Sequence, residues 1–224
     1  MSEENQRKLV LPGEEIISSL DYLPGKNCFR EGNSIYSKKL GTSYTSNRVV
    51  SVIPLSGVYL PKEGDMVIGE ISDIQSNGWV VNINSVHDAY LPLSGVRGFI
   101  DTRKTDLSRV YALGDMIYAK ISNLIGGDSI HLSMQDSRAR KFTSGRVVNI
   151  SPAKVPRLIG KEGSMIKLVK DKTGSRISVG QNGVIWFEGG DEERSIELFK
   201  LIEEEAHTNG LTDKISGMFK EEKK

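Results

Sequence analysis

Residues 155–179 read VPRLIGKEGSMIKLVKDKTGSRISV. Two short apolar runs, VPRLI and SMIKLV, stand on either side of Gly160-Lys161-Glu162-Gly163. Glycine disfavours helix and favours turns, so the pattern predicts two helices joined by a tight turn. Pro156 suits the first turn of a helix, where a missing N–H costs nothing. Met165, Ile166, Leu168 and Val169 recur on one face of the second helix, and Gly174 is placed to end it.

Outward from this stretch the grammar continues. GRVVNI (145–150) reads as a strand, and SRISV and GVIWFEG read as two more, joined by GQNG (180–183) in a hairpin-type turn. Asp191 can cap a helix in which Ile196, Phe199 and Ile202 recur at helical spacing. The order is β-α-α-β-β-α over residues 145–207.

A glycine-bracketed turn between helices has a chemical use. Its backbone N–H groups can approach a phosphate closely, and the second helix adds the positive end of its dipole. Lys161 can contribute a charge, whereas Glu162 should project away. Ile159 and Ile166 would floor a groove for bases, with Lys154, Arg157, Lys167 and Arg176 around it. Charge is concentrated here. Residues 141–190 hold nine basic and three acidic side chains, net +6, while 61–140 is net −2 and 191–224 net −4. A polyanion site needs such a block; a charged surface offset by an acidic tail is the plainer alternative.

This segment resembles the KH RNA-binding module, whose GXXG loop clamps about four nucleotides of single-stranded nucleic acid. The resemblance implies that Gly160, Lys161, Glu162 and Gly163 are that loop. A KH fold kept only for packing, with no RNA contact, is the competing reading.

Residues 63–138 carry a different pattern. MVIGEISDI, WVVNINS, DAYLPL, MIYAKISNL and SIHLSMQ are five candidate strands spaced for a five-stranded barrel. Gly-Asp precedes a strand twice, at Gly64-Asp65 and Gly114-Asp115, and DLSRVYAL reads as a helical turn in the long connection 95–114. The segment resembles the S1-like branch of the OB barrel, which binds single strands by stacking bases on aromatics. Alternation in WVVNI sends Trp79, Val81 and Ile83 to one side, so Trp79 belongs with the core. Val80 then takes the outward place where such barrels carry an aromatic, and Pro92 stands where family members often have histidine. Poor stacking is expected. The connection instead offers Arg97, Arg103, Lys104 and Arg109, either as an electrostatic guide for an RNA backbone or as a solvated loop balanced by Asp101 and Asp106.

Residues 9–60 are rich in Val, Ile, Tyr and Gly without helical period, and SNRVVSVIPLSGVYLP reads as strand, turn, strand, so a small β domain is expected over 1–62. LPKEGD marks the boundary with the barrel. The tail, 208–224, is an amphipathic helix with Leu211, Ile215 and Met218 on one side, or frayed chain.

Composition narrows the classes. With 38% apolar and 26% charged residues among 224, the chain is ordinary for a soluble protein. No apolar run approaches the roughly 18 residues of a membrane span, and the polar start MSEENQRK is unlike a signal peptide. Cytoplasmic residence and no membrane partner are expected. Cys28 alone cannot make an internal disulfide or a cysteine zinc site. His87, His131 and His207 are scattered over three elements, with no metal-ligand spacing, P-loop or dinucleotide fingerprint. No catalytic residue, metal or cofactor is expected.

The three parts together resemble one family over nearly the whole chain: the S1-and-KH cap subunit of the archaeal exosome. "IDTRKTDL" and "NGVIWFEG" carry the likeness beyond the generic modules. The resemblance implies a multidomain fold, with a β-rich N-terminal domain, an S1-like OB β-barrel and an α+β KH domain. It implies three copies crowning a ring of RNase PH-like subunits, with the N-terminal domain docking on the ring. The cap would be a non-catalytic RNA-binding subunit that passes the 3′ end of single-stranded RNA inward for 3′→5′ decay or tailing, with an adenine-rich bias. A freestanding S1/KH regulator of transcription or translation is the alternative, and a purely structural adaptor a third.

Overall fold

Seven short strands build residues 8–54, where Val, Ile and Tyr alternate with small polar residues and turns interrupt every few positions. The computed structural model describes residues 8–101, 105–126 and 128–205, in two units divided after Gly57. In the first, β1 (Lys8–Val10), β6 (Gly41–Ser46), β7 (Val49–Pro54) and β3 (Leu23–Pro24) form a sheet in the order β1-β6-β7-β3. A second sheet has the order β2-β5-β4, from Glu15–Ser18, Ser34–Ser37 and Cys28–Glu31. Val10, Cys28, Ile35, Val50 and Val52 make the core. Of the strand-turn-strand expected in SNRVVSVIPLSGVYLP, only the first half forms a strand, β7. Tyr59 makes a single bridge to Ser85, because the run is bracketed by Gly57 and by Pro61, which has no N–H to extend a ladder.

The second unit begins with the barrel. All five expected strands form: β8 (Met66–Gln75), β9 (Gly78–Asn82), β10 (Ala89–Pro92), β11 (Met116–Ile125) and β12 (Ser129–Ser133). The order β12-β10-β9-β8-β11 closes through a β11–β12 pairing, so no edge of the cylinder is left open. The two Gly-Asp pairs do the same work at opposite ends of the β8–β11 ladder. Gly64 N donates to Ile121 O at 2.9 Å and Asp65 O accepts from Ile121 N at 2.8 Å; Gly114 N donates to Ile71 O and Asp115 O accepts from Ile71 N, both at 2.9 Å. Trp79 is fully buried, as the alternation required. Its indole N–H donates to Tyr111 O at 3.0 Å, and the two rings meet edge to face. This ties the long connection, with its helical turn Leu107–Arg109, to the barrel core.

After the two-residue β13 (Arg140–Lys141), which pairs with β11, the KH grammar is realised in order. β14 (Arg146–Asn149), α1 (Val155–Ile159), α2 (Ser164–Thr173), β15 (Arg176–Val179), β16 (Val184–Glu188) and α3 (Glu192–Glu204) follow one another. The sheet order is β14-β16-β15. Its Ile177, Val179, Ile185 and Phe187 pack with Val155, Leu158, Met165, Val169, Leu198, Phe199 and Ile202 of the helices. Asp191 caps α3 as expected, its side chain accepting from Arg194 N at 2.9 Å. Glu203 of α3 accepts from Ser151 N at 2.9 Å, which ties the helix to the residues before α1. The tail residues Leu211, Ile215 and Met218, and His207, lie outside the described residues.

Alternation in β16 has a second consequence. Since Ile185 and Phe187 face the helices, Val184 and Trp186 face the other way, and there they pack with Ile68 and Phe142 from the barrel side. Phe142 and Trp186 stack at 4.1 Å and 14°, and Tyr118 OH donates to Val179 O at 3.2 Å. The GQNG turn docks on the barrel too. Gln181 N donates to Met66 O at 2.8 Å. Asn182, 0% exposed, accepts from Ile68 N at 3.2 Å and donates to Ile68 O at 2.7 Å and Ile83 O at 2.8 Å. One side chain thus satisfies three backbone groups of two barrel segments.

Candidate nucleic-acid interface

The turn between α1 and α2 is built by backbone geometry that few residues adopt. Gly160 has φ 75° and ψ 176°, Glu162 φ 54° and Gly163 φ 78°. Left-handed backbone at three of four positions explains why glycine brackets the pair. The two glycines are needed for different reasons. A Cβ on Gly160 would sit 2.8 Å from both the backbone N and the Cβ of Met165, while one on Gly163 would meet only Ile166 at 3.9 Å. We expect Gly160→Ala to cost about 2–3 kcal/mol, combining the φ penalty with a clash, and Gly163→Ala about 1 kcal/mol from φ alone; urea unfolding of the two variants measures the difference.

The start of α2 differs from that of α3. Gly163 supplies no side-chain cap, so the first-turn amides of a ten-residue helix have no side-chain acceptor to satisfy them. The turn leads straight into α2 and so stands at the positive end of its dipole. Glu162 is exposed, which lets its carboxylate turn away from them. Lys161 is placed by its backbone in the turn Lys161–Gly163; its side chain lies outside what the structure describes.

Around this turn the expected set divides. Ile159 and Ile166 are half-buried, packed on the KH core with part of each side chain outward. Lys154 and Arg157 are half-buried and Lys167 exposed. Arg176, at the start of β15, is exposed but sits 3.4 Å from Glu188, which tempers its charge. Arg97 and Arg109 belong to the barrel's long connection. Arg97 is exposed yet committed, its Nε donating to Met134 O at 2.9 Å and a second nitrogen to Asp136 O; it clamps the connection to the end of β12. Arg109 is exposed beside Asp106, whose carboxyl is held below its usual range by the hydrogen bond from Ser108 N and then by that from the Ser108 side chain. Arg103 and Lys104 lie outside the described residues.

Several groups near these positions were not singled out by sequence pattern. Tyr90 and His131 stand opposite one another on neighbouring strands of the barrel's outer face, rings 5.9 Å apart at 79°, one strand over from Val80. Tyr90 OH donates to Asn77 Oδ1 at 2.7 Å. Alternation would have found this pair had β10 been read outward as β9 was. Phe99, 94% exposed, projects from the connection two residues after Arg97. Arg140 reaches from β13 to Ser178 of β15, Nη2 to Oγ at 2.6 Å, a pairing that no local pattern signals. Among the described residues no group of three or more His, Cys, Asp or Glu could hold a metal, and no helix is long and apolar enough to cross a membrane.

Comparison with known proteins places these elements. A family model described as the S1 domain of RRP4 matches residues 58–123, and a KH domain model matches 145–193. The chain is 39% identical over 211 residues to the exosome complex component Rrp4 of Methanobrevibacter smithii, covering 93% of this chain and 70% of that one. It is 40% identical over 215 residues to the Rrp4 of Thermococcus kodakarensis, covering 93% and 83%. A crystal structure assigned to an exosome complex RNA-binding protein superposes with a TM-score of 0.67 at 36% identity, over 75% of this chain and 98% of that one. Identity at this level over 93% of the chain shows that it belongs to the Rrp4 family of exosome complex components.

Proposed function

We propose that this chain is a non-catalytic, RNA-binding cap subunit of an archaeal exosome. It captures single-stranded RNA and guides the 3′ end into a ring of RNase PH-like subunits for 3′→5′ degradation or tailing. The observation that carries this reading is the glycine turn at Gly160–Gly163. It combines left-handed backbone with an uncapped helix start and half-buried Ile159 and Ile166, inside a net +6 segment. Such a loop grips a sugar-phosphate backbone without reading its sequence, while the isoleucine floor receives bases.

The site residues divide by role. Gly160, Lys161, Glu162 and Gly163 clamp phosphate; Lys154, Arg157, Lys167 and Arg176 supply the field; Arg97, Arg103, Lys104 and Arg109 steer the strand along the barrel. The N-terminal domain, 1–62, docks on the ring, three copies form the cap, and the complex works in the cytoplasm. Family membership supports the assembly, since the relatives are named as exosome complex components.

Gentle affinity isolation from native cells, followed by mass spectrometry, tests the assembly. RNase PH-like proteins are expected in roughly equal amounts to this chain. Recovery with ribosomal or transcription proteins, or alone, would overturn the cap assignment in favour of a freestanding regulator.

A further inference from the structure

The outer face of the barrel holds an aromatic corner to which the cap reading gives no task. Alternation sends Trp79 and Val81 of β9, Ala89 and Leu91 of β10, and Ile130 and Leu132 of β12 into the core. Tyr90 and His131 therefore face outward. They stand opposite one another in the β10–β12 register, and both are half-buried. Their rings lie 5.9 Å apart at 79°, so they form two walls of a right angle and not a stack. A flat ring laid on one wall meets the other at its edge, and both contacts are ones that aromatic quadrupoles favour.

Each wall is held by its polar atom. Tyr90 OH donates to Asn77 Oδ1 at 2.7 Å, and His131 Nε2 lies 3.2 Å from Ser129 Oγ. The tyrosine ring also leans across β9, where Gly78 has no side chain to stop it. A Cβ there would lie 2.7 Å from the hydroxyl oxygen and 2.9 Å from Cζ. Cross-strand packing accounts for the contact between the rings. Fixing both rings through their polar atoms does more, because it lowers the ordering cost of binding a ligand.

The chemistry around the corner selects the ligand. Strands β9, β10 and β12 contain no Lys, Arg, Asp or Glu, so the corner itself offers no fixed charge to a phosphate. Beyond the end of β12, Arg97 Nε donates to Met134 O at 2.9 Å, three residues, or about 10 Å, past His131. Arg97 belongs to a connection, 95–114, that is net +2 while the rest of residues 61–140 is net −4. An uncharged aromatic surface beside a cationic strip suits a single-stranded nucleic acid, which offers a base to one and a phosphate to the other.

We propose that Tyr90 and His131 form a stacking platform for one unpaired nucleobase on the barrel. Tyr90 is paired in register with Val80, so the platform stands one strand over from the outward place that lacks an aromatic. The inference rests on the RNA-binding reading above. It gives the barrel a contact of its own, separate from the glycine turn and insensitive to salt. The platform accepts any base, since each has a π-face.

Tyr90→Val is the variant of choice, because a β-branched residue suits a strand and removes the ring. Binding of the full chain to a fluorescent oligoadenylate would be followed by anisotropy across salt concentrations. The expected result is about five- to tenfold weaker binding, the lower end of a base–aromatic stack. The salt slope should not change, because no phosphate contact is lost. Tyr90→Phe keeps the ring and should match the parent. A second readout needs no change at the site. The chain has three histidines, so the His131 imidazole can be followed by NMR, its resonance identified by its loss in His131→Gln. Saturating oligoadenylate should shift that resonance through the ring current of the stacked base. A double aspartate variant at Lys161 and Glu162 runs alongside. If that variant weakens binding while Tyr90→Val matches the parent in affinity, or while the parent's His131 resonance stays unmoved at saturation, the platform is overturned and the glycine turn stands. Should Tyr90→Val melt below the parent, the resonance alone decides. If the parent does not bind oligoadenylate, both readings are overturned.

Discussion

Asn182→Ala is expected to destabilise the second unit by about 3–4 kcal/mol, with a fall of roughly 10 °C in melting temperature. The side chain is fully buried and bonds Ile68 N, Ile68 O and Ile83 O. Alanine leaves three buried backbone groups unsatisfied at about 1–3 kcal/mol each, partly offset by relaxation and water. Asn182→Asp should be no better, since it faces two carbonyl oxygens with acceptors in place of the amide N–H donors. Urea unfolding read at Trp186 fluorescence, beside the interface, would measure this. A loss under 1 kcal/mol would show that the ring stack of Phe142 and Trp186 holds the two domains without the asparagine.

Replacing Lys161 and Glu162 with two aspartates should weaken single-stranded RNA binding by about ten- to thirtyfold at low salt, leaving the fold intact. The change is two charge units, entirely from Lys161. At about 5 Å from a phosphate in water each unit is worth roughly 0.8 kcal/mol, and the partial desolvation of a bound strand raises that somewhat. Both glycines remain, and position 162, at φ 54°, tolerates aspartate well, since Asp is enriched in left-handed backbone. Anisotropy with oligoadenylate gives the affinity and thermal melting the control. Undiminished affinity with an unchanged melt would remove the glycine turn from the RNA path. Raising the salt should shrink the difference, as screening shortens the reach of the new charges.

Much of this architecture was legible in one dimension because its causes are local. Five barrel strands announced themselves by alternation, and α2 by Met165 and Val169 at helical spacing before Gly174. Trp79 was placed in the core by its parity with Val81 and Ile83 alone. The glycine turn was readable for the same reason: φ above zero is a property of a residue and its immediate neighbours, and glycine is the residue that permits it. SNRVVSVIPLSGVYLP misled in its second half because a strand needs a partner along its length, and composition does not say whether Pro61 will deny it one.

What a single residue does across an interface was not legible. GQNG was identified as a hairpin turn, and it is one, but the same four residues in a solvent-exposed hairpin would look identical. Asn182 is buried because Ile68, 114 positions earlier, and Ile83 present backbone groups to it once the barrel has closed. Nothing local to Arg140 announces its bond to Ser178 or its place beside the rings of Phe142 and Trp186. Tyr90 and His131 became a pair only through the parallel β10–β12 register. The sequence by itself therefore determined the modules, their order and the left-handed glycine turn, since helix period, strand alternation and glycine backbone freedom act over a few residues. Only the tertiary structure decided which charges meet and which polar groups are sealed from water, because Coulomb energy and desolvation depend on distance in space, which chain separation does not record.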